Sequence, residues 1–520
     1  MSETRLLLAI DVGTQSARAV AFDAQGHLIA RAQRTFEPTY HSPQPGWGEQ
    51  HPDTYWESVV ACVRELWASG GVKPADIAGL SLTTQRATMV CLDGGGHVLR
   101  PAILWLDQRR CDQPPALGPA WHALLWLAGA SGLVRHFQRE AEANWLAQHQ
   151  PTLWHETRKY LFLSGYLSYR LTGNYVDSAG CQVGYVPFDY KRLAWAKHGD
   201  WKWRAVAIRH DQLPELVAPG QRLGYLARIP AEQLGLPARL PIIAAAADKA
   251  CEVLGSGALE PEVAALSFGT TATINTTQPR YVEVQRMLPA YPAAMPGAWN
   301  TEMQIYRGFW MVSWFKREFA QHEQALARER GVPVETLLDE MVRGVPPGSM
   351  GLTLQPYWSP GVRDPGPEAK GAIIGFGEAH TRAHFYRAIL EGLAYGLRAG
   401  REQIERRTGK RIRRLVVAGG GSQSDTAMQI SADVFGLPAE RPESCETSAL
   451  GAAINLAVGL GIHPDHRSAV GAMARVGARF TPDPGAHRTY SRLYNEVYSP
   501  LYPRLRPLYE RIREITGYPP

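Results

Sequence analysis

No run of apolar residues in this chain approaches the roughly 20 needed to span a bilayer. The first such run, Leu6 to Ile10, is stopped by Asp11 after five residues, too short for the apolar region of a secretory signal. The six cysteines (Cys62, Cys91, Cys111, Cys181, Cys251 and Cys445) are scattered, with no CxxC pair and no Cys/His group at metal-ligand spacing. These absences exclude a disulfide scaffold and a zinc module, and predict reduced thiols in a cytoplasmic protein. Charge of one sign is scarce too. A net +6 over 520 residues is modest, and the densest basic stretch, "RRTGKRIRR" at 406–414, has neither interleaved aromatics nor a nucleic-acid module beside it. It reads as a solvated helix end and loop, so neither nucleic acid nor membrane is expected as a partner.

What is present points to an ordinary globular protein, 45% hydrophobic and 20% charged. A chain of this length exceeds the size at which one core keeps growing, so two domains are expected. Near the start, "LLLAIDVGTQSARAVAFD" sets a Gly-Thr turn between two apolar runs, and the second run, broken by Arg18, has strand character rather than helical spacing. The segment therefore reads as strand, turn, antiparallel strand. "EVAALSFGTTATINTT" at 262–277 repeats that plan in the other half of the chain. Such an echo predicts two similar domains, 1–257 and 258–520, facing each other across a cleft. Helical spacing in "YWESVVACVRELWAS", "HFYRAILEGLAYGLRAGREQIERR" and "TAMQISADVFG" alternates with strands at "IAGLSLTT", "MVCLD" and "RRLVVAGGG", as sheets covered by helices require. "PIIAAAADKACEVLGSGAL" reads as a buried strand ending near Asp248, then a small-residue helix.

The turns carry the chemistry. A tight hairpin of glycine and small hydroxyl residues can aim several backbone N–H groups one way, as an anionic phosphate requires. Gly13 permits close approach, and Thr14 and Ser16 add hydroxyls. Asp11 suits Mg2+ held through water, since magnesium takes few carboxylates and keeps its waters. A third element, "LVVAGGGSQSDTAMQISADVFG", runs from a strand into Gly419, Gly420 and Gly421 and, after Ser422, a helix. Bare glycine backbone lets a flat group lie close, and a helix N-terminus favours polar contacts. A dinucleotide-binding oxidoreductase is disfavoured, because the first turn has one glycine and leads into a strand.

Taken in order, "DVGTQSARAVAFD", "GWGEQHPDTYWES", "TTQRATMVCLD", "RPAILWLDQRR", "EANWLAQHQP", "AAADKACEVLGSG", "LSFGTTA", "GAIIGFGEAHTRAHFYRAILEGLAYGLR" and "VVAGGGSQSDTAMQISADVFG" resemble, nearly end to end, the FGGY carbohydrate kinases. These belong to the actin-like, ribonuclease-H-like ATPase superfamily and include xylulose, glycerol and gluconate kinases. The resemblance implies an α/β fold of two ribonuclease-H-like domains and an ATP- and Mg2+-dependent sugar kinase. It makes Asp248 the base that accepts the proton of the sugar hydroxyl, and phosphoryl transfer asks little more of a protein than such a base, positioning and charge stabilisation. Gly13, Thr14, Gln15, Ser16, Gly269, Thr270 and Thr271 would hold the phosphates, Asp11 would orient the metal, and Arg18 would lie near the transferred phosphate. Gly420, Gly421 and Ser424 would line the adenosine pocket. The expected partner is a small sugar or polyol, and a homodimer is left open.

On the sugar side, "TTQRATMV" is closer to the glycerol-kinase "NQRET" than to the "GQMHG" of xylulose kinases, but Ala87 stands where glycerol kinases carry glutamate. Arg86 would donate to substrate hydroxyls, Trp105 would cover the carbon face of a polyol unless it packs in the core, and Asp107 would accept from hydroxyls. Lys249, where relatives place Gln or Asn, would bind a substrate carboxylate or pair with Asp248. "LSGYLSYRLTG" lacks the "PKDYL" of many relatives. A pentulose such as D-xylulose is the expected acceptor, ahead of a gluconate- or glycerol-type substrate. A catalytically silent sugar sensor is the reading from another class.

Overall fold

A computed structural model describes residues 5–361 and 365–518. The chain divides into two compact units, the first made of residues up to 257 with 278–300 and 446–474, the second of 258–277, 301–445 and 475 onward. A single cut at 257/258, as the sequence reading placed it, therefore leaves two pieces of the first unit behind. Cutting by sequence order fails because the chain returns to the first unit twice.

In the first unit, β1 (Leu6–Val12) and β2 (Ser16–Phe22) form the antiparallel hairpin, β3 (Leu28–Thr35) extends it, and α1 (Pro52–Ala68) follows. Then come β4 (Ile77–Thr84), β5 (Arg222–Tyr225), β6 (Pro241–Ala244) and α2 (Asp248–Gly255). The six-stranded sheet has the order β5-β6-β4-β1-β2-β3. β1, β4 and β6 run parallel, with Val12 opposite Thr84 and Leu82 opposite Ala244. β1 is buried on both faces, and this explains its near-continuous apolar run. α1 starts at a proline in its first turn and buries Tyr55, Trp56, Val59, Cys62, Val63 and Leu66, one stripe at helical spacing.

The second unit opens with the second hairpin, β7 (Val263–Phe268) and β8 (Ala272–Gln278). β9 (Trp299–Ile305) follows, then the long α3 (Arg382–Thr408), β10 (Arg414–Ala418), α4 (Asp425–Phe435) and β11 (Ala439–Pro442). The chain next re-enters the first unit as α5 (Thr447–Gly459), which packs on β1, β4 and α2, and returns as β12 (Val476–Phe480). These strands lie in the order β9-β8-β7-β10-β11-β12 within a seven-stranded sheet. The basic stretch at 406–414 is the end of α3, its left-handed Gly409 cap and the loop into β10. Five of the cysteines are buried thiols and Cys445 is exposed. No helix among the described residues is long and apolar enough to cross a membrane.

Candidate active site

Three parallel strands of the first unit, β1, β4 and β6, end at the same edge of the sheet, where open α/β sheets place their ligands. The segments leaving them carry the turn after Val12, the pair Gln85-Arg86, and Asp248. The link from β6 to Asp248 is pinned by hydroxyl donors. Ser178 donates to the Ala245 carbonyl at 2.5 Å, and Thr83 donates to the Ala246 carbonyl at 2.7 Å. Gly180 lies against Ala246, and a Cβ there would overlap it, so this crossing tolerates little beyond small residues. Asp248 opens α2, and its Oδ1 accepts from the Lys249 backbone N–H at 2.7 Å. Burial raises its carboxyl above the ordinary aspartate range, against the pull of Lys249 and Arg86.

Asp11 is buried, and its partner across the hairpin is Arg18, whose Nη1 lies 3.1 Å from Oδ2. Burial lifts the Asp11 carboxyl to about 7; Arg18 opposes the shift, and the charges of Asp248 and Glu446 add to it. Glu446, at the start of α5, also holds Arg18 at 3.8 Å and accepts from Arg31 at 2.6 Å. The charges of Asp248 and Glu446 thus both act on Asp11, while Arg18 and Arg31 answer the negative charge there. Glu446 was missed in the sequence because "CETSALG" has no pattern of its own and lies over 400 positions from its partners.

The first turn is closed by the Gly13 N–H donating to the Ser16 carbonyl at 3.0 Å, and Gln15 is exposed at its tip. Ser16 is buried, its hydroxyl accepting from Gln33 at 3.2 Å. The Thr14 hydroxyl donates to Gln85 Oε1 at 2.8 Å and accepts from the Trp105 indole N–H at 2.8 Å. Trp105 is 50% exposed, and this rules out the core-packing alternative. Arg86 lies over the Tyr291 ring, 5.0 Å from its centroid, and Ala87 beside it has a left-handed φ of 47°, a strained conformation for a residue with a Cβ. Gln85 and Tyr291 thus touch candidate site residues, and nothing in the sequence marks either of them as a partner.

Two substrate assignments change. The Asp107 carboxylate is engaged within the protein rather than turned out as a free acceptor: it takes the Gly48 N–H at 2.7 Å and three donors of Arg109 at 2.7–2.8 Å. Arg109 also reaches Glu49 at 2.8 Å, and its guanidinium lies over Trp47 and Trp145 at 4.0 and 4.6 Å. Asp107 is thus part of the buried frame that holds the Trp105 loop. Lys249 Nζ donates to Glu252 Oε2 at 2.7 Å, one turn along α2, and its charge also acts on the Asp248 carboxylate.

In the second unit, Thr270 is exposed at the tip of the β7–β8 turn. Gly269 accepts from the Phe309 N–H at 3.0 Å, and the Thr271 hydroxyl donates to the Tyr306 carbonyl at 3.2 Å. Gly419 has φ 86° and its missing Cβ would overlap the Phe268 backbone, while a Cβ on Gly421 would overlap the Phe309 ring. Gly420 faces open space, which leaves its backbone approachable. A short 3-10 turn over Gly420–Gln423 precedes α4, so the helix begins later than the sequence suggested. Ser424 is not a free pocket-lining hydroxyl. It caps α4 by accepting from the Ala427 N–H at 3.1 Å and donates to Asp339 at 2.7 Å, because an N-cap hydroxyl turns inward to the helix.

Two hairpins with Gly-Thr turns, a strand-end aspartate and a glycine turn define a phosphotransferase of the actin-like ATPase type. The chain belongs to the FGGY family of carbohydrate kinases: residues 6–255 match the family's N-terminal domain and 264–460 its C-terminal domain. It is similar to the uncharacterized sugar kinase YgcE of Escherichia coli strain K12, 29% identical over 505 residues, with 96% of this chain and 93% of that one covered. It is also similar to the xylulose kinase of Lactococcus lactis subsp. lactis strain IL1403, 28% identical over 503 residues covering 95% and 96%. Among solved structures, xylulose kinase from Rhodospirillum rubrum superposes with a TM-score of 0.79 at 26% identity, covering 97% of this chain and 100% of that one. Family membership makes this protein a sugar kinase and implies ATP as phosphoryl donor.

Proposed function

We propose that the protein transfers the γ-phosphate of ATP to a hydroxyl of a ketose or polyol, with D-xylulose or a related pentulose as its acceptor. The observation that carries this reading is Asp248, fixed where a parallel strand meets a helix, with a raised pKa and with Arg86 and Lys249 as its charged neighbours. In this reading Asp248 takes the proton of the acceptor hydroxyl as its oxygen attacks the γ-phosphorus and ADP departs. Arg18, opposite Asp11, offers its guanidinium to the transferred phosphate. Gly13 to Ser16 in the first unit and Gly269 to Thr271 in the second bind phosphate oxygens, and Gly420 and Gly421 receive the adenosine. In this reading Asp11 would orient Mg2+, although among the described residues no cluster of three acidic, His or Cys side chains stands ready to hold a metal, and Arg18 occupies one oxygen of Asp11. The ion would supply charge neutralisation on the phosphates. Unpaired cysteine thiols support a reducing, cytoplasmic setting.

The acceptor assignment rests on the sugar side. Trp105 offers a half-exposed ring for a carbon face, and Arg86 offers donors. Ala87 supplies no carboxylate, which leaves room for a chain longer than glycerol. Because Lys249 is paired with Glu252, its charge does not call for a sugar acid. The test is kcat/KM from sugar-dependent ADP release for D-xylulose, D-ribulose, glycerol and gluconate. A pentulose should rank first. Glycerol ranking first would overturn the reading of Ala87, and a sugar acid ranking first, with that preference lost in Lys249→Ala, would replace the pentulose by a gluconate-type substrate.

A further inference from the structure

The ring offered to the acceptor and the turn offered to phosphate are joined by one chain of hydrogen bonds. Trp105 Nε1–H donates to Thr14 Oγ1 at 2.8 Å, Thr14 donates to Gln85 Oε1 at 2.8 Å, and Gln85 Nε2 donates to the Tyr55 hydroxyl at 3.2 Å. A hydroxyl has one proton. With that proton given to Gln85, Thr14 has none for a phosphate oxygen, although it stands at the centre of the phosphate turn. The inner half of the chain is buried and tied to the backbone. Gln85 and Tyr55 are buried, the Gln85 backbone N–H donates to the Val12 carbonyl at 2.9 Å, and Tyr55 meets Phe36 edge-on with centroids 5.2 Å apart. Phe36 in turn donates its N–H to the Gln15 carbonyl at 2.9 Å, so the same scaffold fixes the turn from both sides. The outer half is accessible, since Trp105 is half-exposed.

We propose that this chain couples acceptor binding to nucleotide binding in the first unit. An acceptor lying on Trp105 draws the indole N–H away from Thr14, the Thr14 hydroxyl turns from Gln85 to the phosphate, and nucleotide affinity rises. Gln85 is then a positioning residue that holds the hydroxyl in reserve while no acceptor is present. The inference rests on the kinase reading above. By thermodynamic reciprocity, nucleotide tightens acceptor binding by the same factor.

The test is a titration of the full chain with a non-hydrolysable ATP analogue, with and without saturating D-xylulose, the coupling factor being the ratio of the two Kd values. Wild type should give a factor of about 5 or more, within the usual range of such couplings. Trp105→Phe keeps an aromatic face without the N–H and should bring the factor to about 1. Gln85→Leu should do the same and should tighten the acceptor-free Kd, since the Thr14 proton is then released; a site merely loosened by the substitution would bind the analogue more weakly. The double variant should change the factor no further than either single one, because members of one chain are not additive. A wild-type factor of about 1, a wild-type factor retained in Trp105→Phe, or a weakened acceptor-free Kd in Gln85→Leu would overturn the proposal. Failure of the kinase reading would show separately, as the absence of sugar-dependent ADP release by wild type.

Discussion

Asp248 is placed where ionisation is costly, and the cost has a sign that can be measured. Burial favours the neutral acid, whereas Lys249 and Arg86 favour the carboxylate, and burial wins. A base works only when deprotonated, so kcat/KM should fall on the acid side with a midpoint above the ~3.9 of an unperturbed aspartate. Lys249→Met removes a cation that stabilises the carboxylate and leaves Glu252 unopposed. The acid midpoint should therefore move up by about 1 unit in a pH–rate profile, and a downward move would contradict the assignment. At this scale the sequence was informative about residue types and less so about their engagements. Asp11 and Thr14 could be picked out because each ends or follows an apolar strand, and Asp248 through the resemblance of its segment to that of the family. The commitment of Asp107 to Arg109 and Gly48 could not, since Gly48 lies 59 positions away and nothing local marks it as a partner. The engagement of Ser424 was hidden for a similar reason: the same hydroxyl type that lines pockets also caps helices.

Among the elements, α2 and α5 approach each other closely. Gly255 and Gly451 let the two backbones meet: a Cβ on Gly451 would overlap the Cys251 carbonyl oxygen, and one on Gly255 would overlap that of Thr447. The starts of these helices carry Asp248 and Glu446, and Ser448 ties them by donating to the Asp248 carbonyl at 3.3 Å. Gly451→Ala should therefore cost about 1–3 kcal/mol in urea unfolding, as overpacking does. Gly471→Ala, in the short helix His466–Met473 where a Cβ meets nothing, should instead stabilise by up to about 1 kcal/mol. Equal effects at the two positions would deny the contact its importance. The hairpins and α1 were readable because their periodicities of two and 3.6 are local properties. The α2–α5 contact was not, because the glycines that permit it look like ordinary small helix residues until the partner is known.

For the whole molecule, alternation of strands and helices and the repeated Gly-Thr hairpin were enough to indicate two α/β units. The return of α5 to the first unit was hidden, since it depends on which sheet a helix covers and not on any signal at its ends. That return brings Glu446 to Arg18 and Asp11, so the cluster at the first hairpin is completed from late in the chain. The central claim is that this assembly is a sugar kinase with Asp248 as its base. Its most direct test is parallel measurement of ADP and sugar phosphate formed from ATP and D-xylulose by wild type and by Asp248→Asn, with sugar affinity measured on both. The account predicts equal amounts of the two products from wild type, and a rate lower by about 100-fold or more in the variant at little-changed sugar affinity. Near-normal turnover by Asp248→Asn would contradict it.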